Sequence, residues 1–146
     1  MDTLATLSLM ERVLFMRHVP LFADLPPADL KQVAAIANEC LFEDGEALAL
    51  EGEAGDEMHI VVSGEVRIIL GKGGQEHEIA RRTAGDYVGE MAIISQEPRM
   101  ASLITAGQVR TLRIDQKSFE AILRERPETG LAVMRVLCQR LKEASK

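Results

Sequence analysis

The sequence predicts an α+β domain that is mainly β, an antiparallel roll of strands with helices at both ends. Three observations carry this. Both ends of the chain place apolar residues at helical spacing, the middle breaks into short apolar runs cut by glycine, and the pattern changes near Leu41 and again near Ile114. The 146 residues suit a single domain, long enough to bury well over half the surface of the unfolded chain.

Taken in order, Ser8 with Glu11 has the form of a capping box, and Leu9, Val13, Leu14 and Met16 follow on one face, predicting a helix over 8–17. Pro26 and Pro27 suit the opening turn of a second helix, whose apolar face is Leu30, Val33, Ala34 and Ile36 to Ala37. These N-terminal helices span 8–37. From 41 to 114 the runs Met58 to Val62, Val66 to Leu70 and Leu103 to Thr105 read as separate short strands of the roll. Gly71-Lys72-Gly73-Gly74 reads as a hairpin turn, because it lacks the Gly-Lys-Ser/Thr ending and following helix of a phosphate-binding P-loop. Asp115 can cap a helix through Leu123, and Pro127 can open a last helix toward Lys142, giving C-terminal helices over 115–143. Leu131, Met134, Leu137, Cys138 and Leu141 form the stripe of that last helix, and such a stripe is expected to face the core.

Composition excludes several functions. Seventeen Lys and Arg against 23 Asp and Glu leave a net charge of -6, which argues against nucleic acid as a partner of this chain alone. No apolar run approaches the ~20 residues that cross a bilayer, and the N-terminus lacks a signal-peptide pattern, so a cytoplasmic location without membrane attachment is expected. Cys40 and Cys138 fall in stretches that read as helical, lack Cys-x-x-Cys spacing, and are expected to be packing residues in a reducing compartment. His18, His59 and His77 offer no His-x-His pair for a metal, and no Ser/His/Asp or Cys/His grouping suggests a nucleophile. Neither a metal cofactor nor an enzyme is expected.

The chemistry concentrates between Gly85 and Ser102. Glu90 and Arg99 stand nine positions apart around a short apolar turn. Arg99 presents a planar fork that matches two phosphate oxygens, and Glu90 is an acceptor for a sugar hydroxyl. The alternative is that the two simply pair with each other as a surface ion pair.

Gly89-Glu90-Met91-Ala92, followed by Pro98-Arg99-Met100-Ala101-Ser102, resembles the phosphate-binding cassette of cyclic-nucleotide-binding domains. Gly45-Glu46, Glu51-Gly52-Glu53-Ala54-Gly55-Asp56 and Ser63-Gly64-Glu65-Val66 match turns of the same family's roll, so the resemblance covers nearly the whole chain and is to the sensor domain of catabolite activator protein-like regulators. It implies a jelly-roll-like double-stranded β-helix and a short helix between Glu90 and Ser95 whose amides, with Arg99 and the amide of Ala101, hold a cyclic phosphate. Glu90 would bind the ribose 2'-hydroxyl, with Gly89 allowing close approach, and Ser102 adds a hydroxyl nearby. Met91, Ala92 and Met100 complete the implied site. Val88 replaces the family's usual Phe. Met100 stands where many cGMP-selective domains have Thr, and this favours cAMP over cGMP. Arg135, Gln139 and Arg140 of the last helix are the candidates for covering the base.

The resemblance therefore implies a non-catalytic cAMP or cGMP sensor that moves its C-terminal helices to control an effector. Two other readings remain: a ligand-free interaction module, which could pair as a homodimer through the last helix, or the sensor half of a transcription regulator. In such regulators a DNA-binding domain follows the last helix, where this sequence continues only with Ala144, Ser145 and Lys146.

Overall fold

A computed structural model describes residues 7–90, 93 and 97–144. Helix α1 (Leu9–Met16) starts at the expected box: the Ser8 hydroxyl accepts from the Glu11 amide at 3.1 Å and the Glu11 carboxylate from the Ser8 amide at 3.0 Å. Helix α2 (Pro27–Ile36) opens on proline and buries Leu30, Val33 and Ala34. Among the described residues six strands come next: β1 (Asn38–Phe42), β2 (Ala47–Ala49), β3 (Glu57–Leu70), β4 (His77–Arg82), β5 (Tyr87–Val88) and β6 (Ser102–Asp115). All pair antiparallel in the order β1-β6-β3-β4, with β2 also on β6 and β5 also on β3. The roll thus begins at Asn38, three residues earlier than expected, because Asn38 already pairs with Arg113.

The largest departure from the sequence reading is β3. The runs at 58–62 and 66–70 belong to one strand, which tracks β6 from Glu57 opposite Asp115 to Ile69 opposite Ser102. Its register shifts on either side of Ser63, and Gly64 sits at φ +91° where a side chain would overlap the Gln108 carbonyl. Ser63-Gly64 is therefore a bulge that bends the strand into the roll, not a turn that ends it. Gly71 to Gly74 do form the expected hairpin turn, closing β3 onto β4 with Leu70 opposite His77.

Helix α3 (Gln116–Glu125) is capped by Asp115, whose carboxylate accepts from the Ser118 amide at 2.9 Å, and α4 (Pro127–Ala144) runs out from the corner at Arg126. Two apolar clusters result. One joins the helices to the roll through Phe22, Leu30, Met58, Leu112, Phe119 and Val133; the other, inside the roll, holds Val61, Val66, Val88, Leu103 and Val109. Strand β5 divides its two side chains between them, Tyr87 to the first and Val88 to the second. Gly89 and Glu90, the next two residues of the chain, are thereby placed at the junction of helices and roll.

Two expectations about packing are overturned. Most of the expected stripe of α4 faces outward: Leu131 is 50%, Met134 52% and Leu141 70% exposed, and of the stripe Leu137 meets the core, beside Val133 and Val136. Cys40 lies on β1 and not on a helix, and Cys138 is exposed on α4.

Candidate functional site

The segment bearing Arg99 is pinned by its backbone to the loop before β3. The Arg99 amide donates to the Glu53 carbonyl and the Gly52 amide to the Arg99 carbonyl, each at 2.8 Å. Just beyond, the Ser102 hydroxyl accepts from the Glu51 amide at 2.9 Å, and the Glu51 carboxylate accepts from the Gly71 amide at 2.7 Å. The glycine- and acid-rich stretch 51–56 is thus the bed on which the arginine lies.

Among the described residues its guanidinium is held at one corner. Nη2 donates to the Glu57 carbonyl at 2.9 Å, while Nη1 is buried without a hydrogen-bond partner. Two glycines make the room. A Cβ on Gly55 would overlap Arg99 Nε, and one on Gly89, which sits at φ +79°, would lie 2.5 Å from Nη1 and 3.1 Å from the Glu57 carbonyl. Glycine at 89 is therefore required by the backbone angle and by the guanidinium at once. Burial pushes the Arg99 pKa below its ordinary value, and the nearby charges of Glu57, Asp56 and Glu53 oppose that. Among the described residues no carboxylate pairs with Arg99, so the ion pair with Glu90 does not form.

Arg99 opens into a cavity of about 200 Å³. Gly89, Glu90, Glu97 and Pro98 line it beside the guanidinium, and Ile68, Val88, Leu103 and Met100 supply apolar walls. Met100 is 70% exposed, so it stands at the rim. Val88, in place of a larger ring, is buried in the roll's own cluster. Arg82, Tyr87 and Arg140 line the cavity as well. The Arg140 guanidinium lies 4.2 Å from the centre of the Tyr87 ring, a cation-π contact that lays α4 against the site. The Tyr87 hydroxyl is buried with no hydrogen-bond partner, and burial pushes its pKa up.

Of the residues singled out in the sequence, Gly89, Glu90, Arg99, Met100 and Ala101 come together around this cavity. Ser102 is turned to the Glu51 amide. Met91 and Ala92, and the short helix expected up to Ser95 apart from Glu90 and Ile93, lie outside the described residues. The three lid candidates separate: Arg140 reaches the cavity, whereas Arg135 and Gln139 lie in a shallow depression on the outer face of α4 with Leu131, Met134 and Lys142.

Sequence reasoning missed Arg82, Tyr87 and Gly55. Tyr87 and Gly55 fall inside the family-like stretches, but nothing local distinguishes a glycine that makes a turn from one that clears a side chain. Arg82 follows Ala80 on the same face of β4, and only the pairing of β4 with β3 brings that face to the site. The histidines do not gather: His59 is buried on β3, whereas His18 and His77 are exposed. Among the described residues no group of His, Cys, Asp or Glu could hold a metal ion, and no helix is long and apolar enough to cross a membrane.

Known proteins share this architecture. The pattern of the family described as the cyclic nucleotide-binding domain matches residues 39–126. A cAMP-dependent protein kinase regulatory subunit from Blastocladiella emersonii is 27% identical over 110 residues, 75% of this chain and 27% of that protein. The chain spans about a quarter of the length of the curated relatives it matches. The regulatory domain of Toxoplasma gondii PKA, crystallised with cAMP, superposes with a TM-score of 0.79 at 27% identity, covering 92% of this chain and 50% of that one. The catabolite activator protein of Thermus thermophilus superposes with a TM-score of 0.76 at 28% identity, covering 86% of this chain and 60% of that one.

Proposed function

This chain belongs to the cyclic nucleotide-binding domain family, and we propose that its cavity binds cAMP in preference to cGMP and that the occupied state is read out through α4. The observation that carries the reading is the Arg99 guanidinium, half-fixed by the Glu57 carbonyl and left with a buried, unpartnered Nη1 beside Gly89. A buried donor without a partner costs about 1–3 kcal/mol, which a phosphate oxygen would relieve. Glu90 on the same wall is placed to accept from a ribose hydroxyl, and the apolar walls suit a base.

Two features support cAMP: Met100 carries no hydroxyl to meet a guanine amino group, and the Blastocladiella and Toxoplasma relatives are named for cAMP. Arg140 supplies the readout. With a base in the cavity its guanidinium would leave the Tyr87 ring for the ligand, and α4 would move with it. The outer face of α4, with Leu131, Met134 and Leu141 exposed, is the surface that this movement presents to an effector. The domain would act in this way as a non-catalytic cytoplasmic sensor.

Calorimetric titration with cAMP, cGMP and AMP tests the reading. The expected order is cAMP above cGMP, with AMP far weaker. Arg99→Ala should weaken cAMP binding by more than about tenfold, since a charge-assisted hydrogen bond contributes roughly 1.5–3 kcal/mol. Absence of heat with both cyclic nucleotides would sink the sensor, and a clear cGMP preference would reverse the base assignment alone.

A further inference from the structure

Behind Arg99 lies a buried polar group that the binding site itself does not use. His59 is 1% exposed. Its Nδ1 stands 2.8 Å from the hydroxyl of Thr111, itself fully buried, and its Nε2 stands 3.2 Å from a carboxylate oxygen of Glu57. A carboxylate can only accept, so Nε2 carries a proton and donates. With the imidazole neutral, Nδ1 then accepts from the Thr111 hydroxyl. The Phe42 ring and the imidazole pack in a T shape, with centroids 5.6 Å apart.

Glu57 is the residue whose main-chain carbonyl already holds Arg99 Nη2. Its side chain is thus attached next to a half-buried guanidinium whose Nη1 is unoccupied. Opposite charges so placed should close into a direct pair, with the carboxylate taking the corner that an anionic ligand needs. They do not. The Glu57 carboxylate is engaged instead by His59 and, at 3.7 Å, by Arg113, and neither contact is with Arg99. The Arg113 side chain is 40% exposed and its contact is long, so the buried imidazole is the stronger anchor. The hydrogen bond from His59 is also the first cause of the lowered pKa of Glu57, which keeps that carboxylate charged.

We infer that His59, locked by Thr111, is a positioning residue that withholds the Glu57 carboxylate from Arg99 and so keeps the guanidinium available to the phosphate of the ligand. The inference rests on the nucleotide-binding reading above. Removing the imidazole would release Glu57 onto Nη1 and fill the anion seat from inside the protein. Asp56 and Glu53, the other acidic neighbours of Arg99, would remain as they are.

The test is a set of cAMP titrations by calorimetry, each variant checked by thermal melting. His59→Phe should bind about tenfold more weakly than the wild type, because one charge-assisted phosphate contact is lost. Glu57→Gln placed in the His59→Phe background should restore binding, since the amide carries no charge to compete for Arg99. His59→Gln, which keeps an N–H donor for Glu57 and is the milder change to the core, should bind like the wild type. Thr111→Val should weaken binding in the same direction as His59→Phe, and Glu57→Gln should relieve it. A merely structural His59 predicts that affinity falls with stability and that Glu57→Gln brings no recovery. That result, or wild-type affinity in His59→Phe, overturns the inference while leaving the sensor intact. A wild-type protein that binds no cyclic nucleotide overturns both.

Discussion

Gly55 and Gly89 both clear the way for Arg99, and single substitutions should tell their roles apart. Gly55 does not need a left-handed backbone, so alanine there conflicts only with the Arg99 side chain, whose Nε its Cβ would overlap. Gly55→Ala should therefore displace the guanidinium, weaken cAMP binding by roughly tenfold, and change stability by less than ~1 kcal/mol. Gly89→Ala meets the guanidinium too, but at φ +79° and 3.1 Å from the Glu57 carbonyl it also strains a backbone that cannot give way. It should lose binding and a further ~1–2 kcal/mol of stability, seen as a drop of a few degrees in Tm. Titration and melting on both variants check this. If Gly55→Ala bound normally, the guanidinium would have an alternative seat and its present orientation would not matter.

At the scale of elements, the half-buried ion pair between Asp29 of α2 and Arg126 ties the N-terminal helices to the corner from which α4 departs. Arg126 Nη1 donates to Asp29 at 2.6 Å; Asp29 is 1% exposed, and the Arg126 side chain is 37% exposed with Glu128 3.9 Å away. The asymmetry predicts unequal costs. Arg126→Ala strands a buried carboxylate and should cost about 3–5 kcal/mol, whereas Asp29→Asn leaves an arginine that water and Glu128 can still satisfy and should cost about 1–2 kcal/mol. Urea unfolding of the two variants measures the difference; equal losses would mean that the unequal burial of the two partners does not set their costs. Elements were legible in the sequence where their signal is local. Ser8 with Glu11, Asp115, and the prolines at 27 and 127 mark helix starts, because a cap is satisfied within one turn. Ser63-Gly64 was not legible, since the same dipeptide serves a turn or a bulge and only pairing with β6 decides. Nor was the buried face of α4: apart from Leu137, which both faces share, Val133 and Val136 compete with Leu131, Met134 and Leu141, and helical spacing alone cannot rank the two.

Over the whole molecule, the site was legible as far as one stretch of chain could show it. Gly89, Glu90, Arg99 and Ala101, all from the motif, line the cavity, whereas Arg82 and Tyr87 reach it through strand pairing and Gly55 comes against Arg99 through loop packing that no local pattern encodes. The same long-range packing sets the response to acid. Glu57 is held below the ordinary 4.5 first by its bond to His59, Asp115 below 3.8 by the Ser118 amide at the start of α3, and Glu78 down to about 2 by Arg81 and Arg67. In each case the unfolded chain takes up its proton first as the pH falls, so the stabilisation is complete above the unfolded pKa and is lost through the depressed folded one. Glu78 lies on the solvated face of β4, where screening keeps its share small, so Glu57 and Asp115 should dominate. The melting temperature should therefore fall as the pH is lowered from about 4.5 toward 2. Glu57→Gln should start lower in Tm but lose less over that interval, because its side chain has no proton to gain. Thermal melts of the two proteins across the interval give the answer. Parallel curves would show that folding does not lower the pKa of Glu57, and the hydrogen bond from His59 would then not favour its charged form.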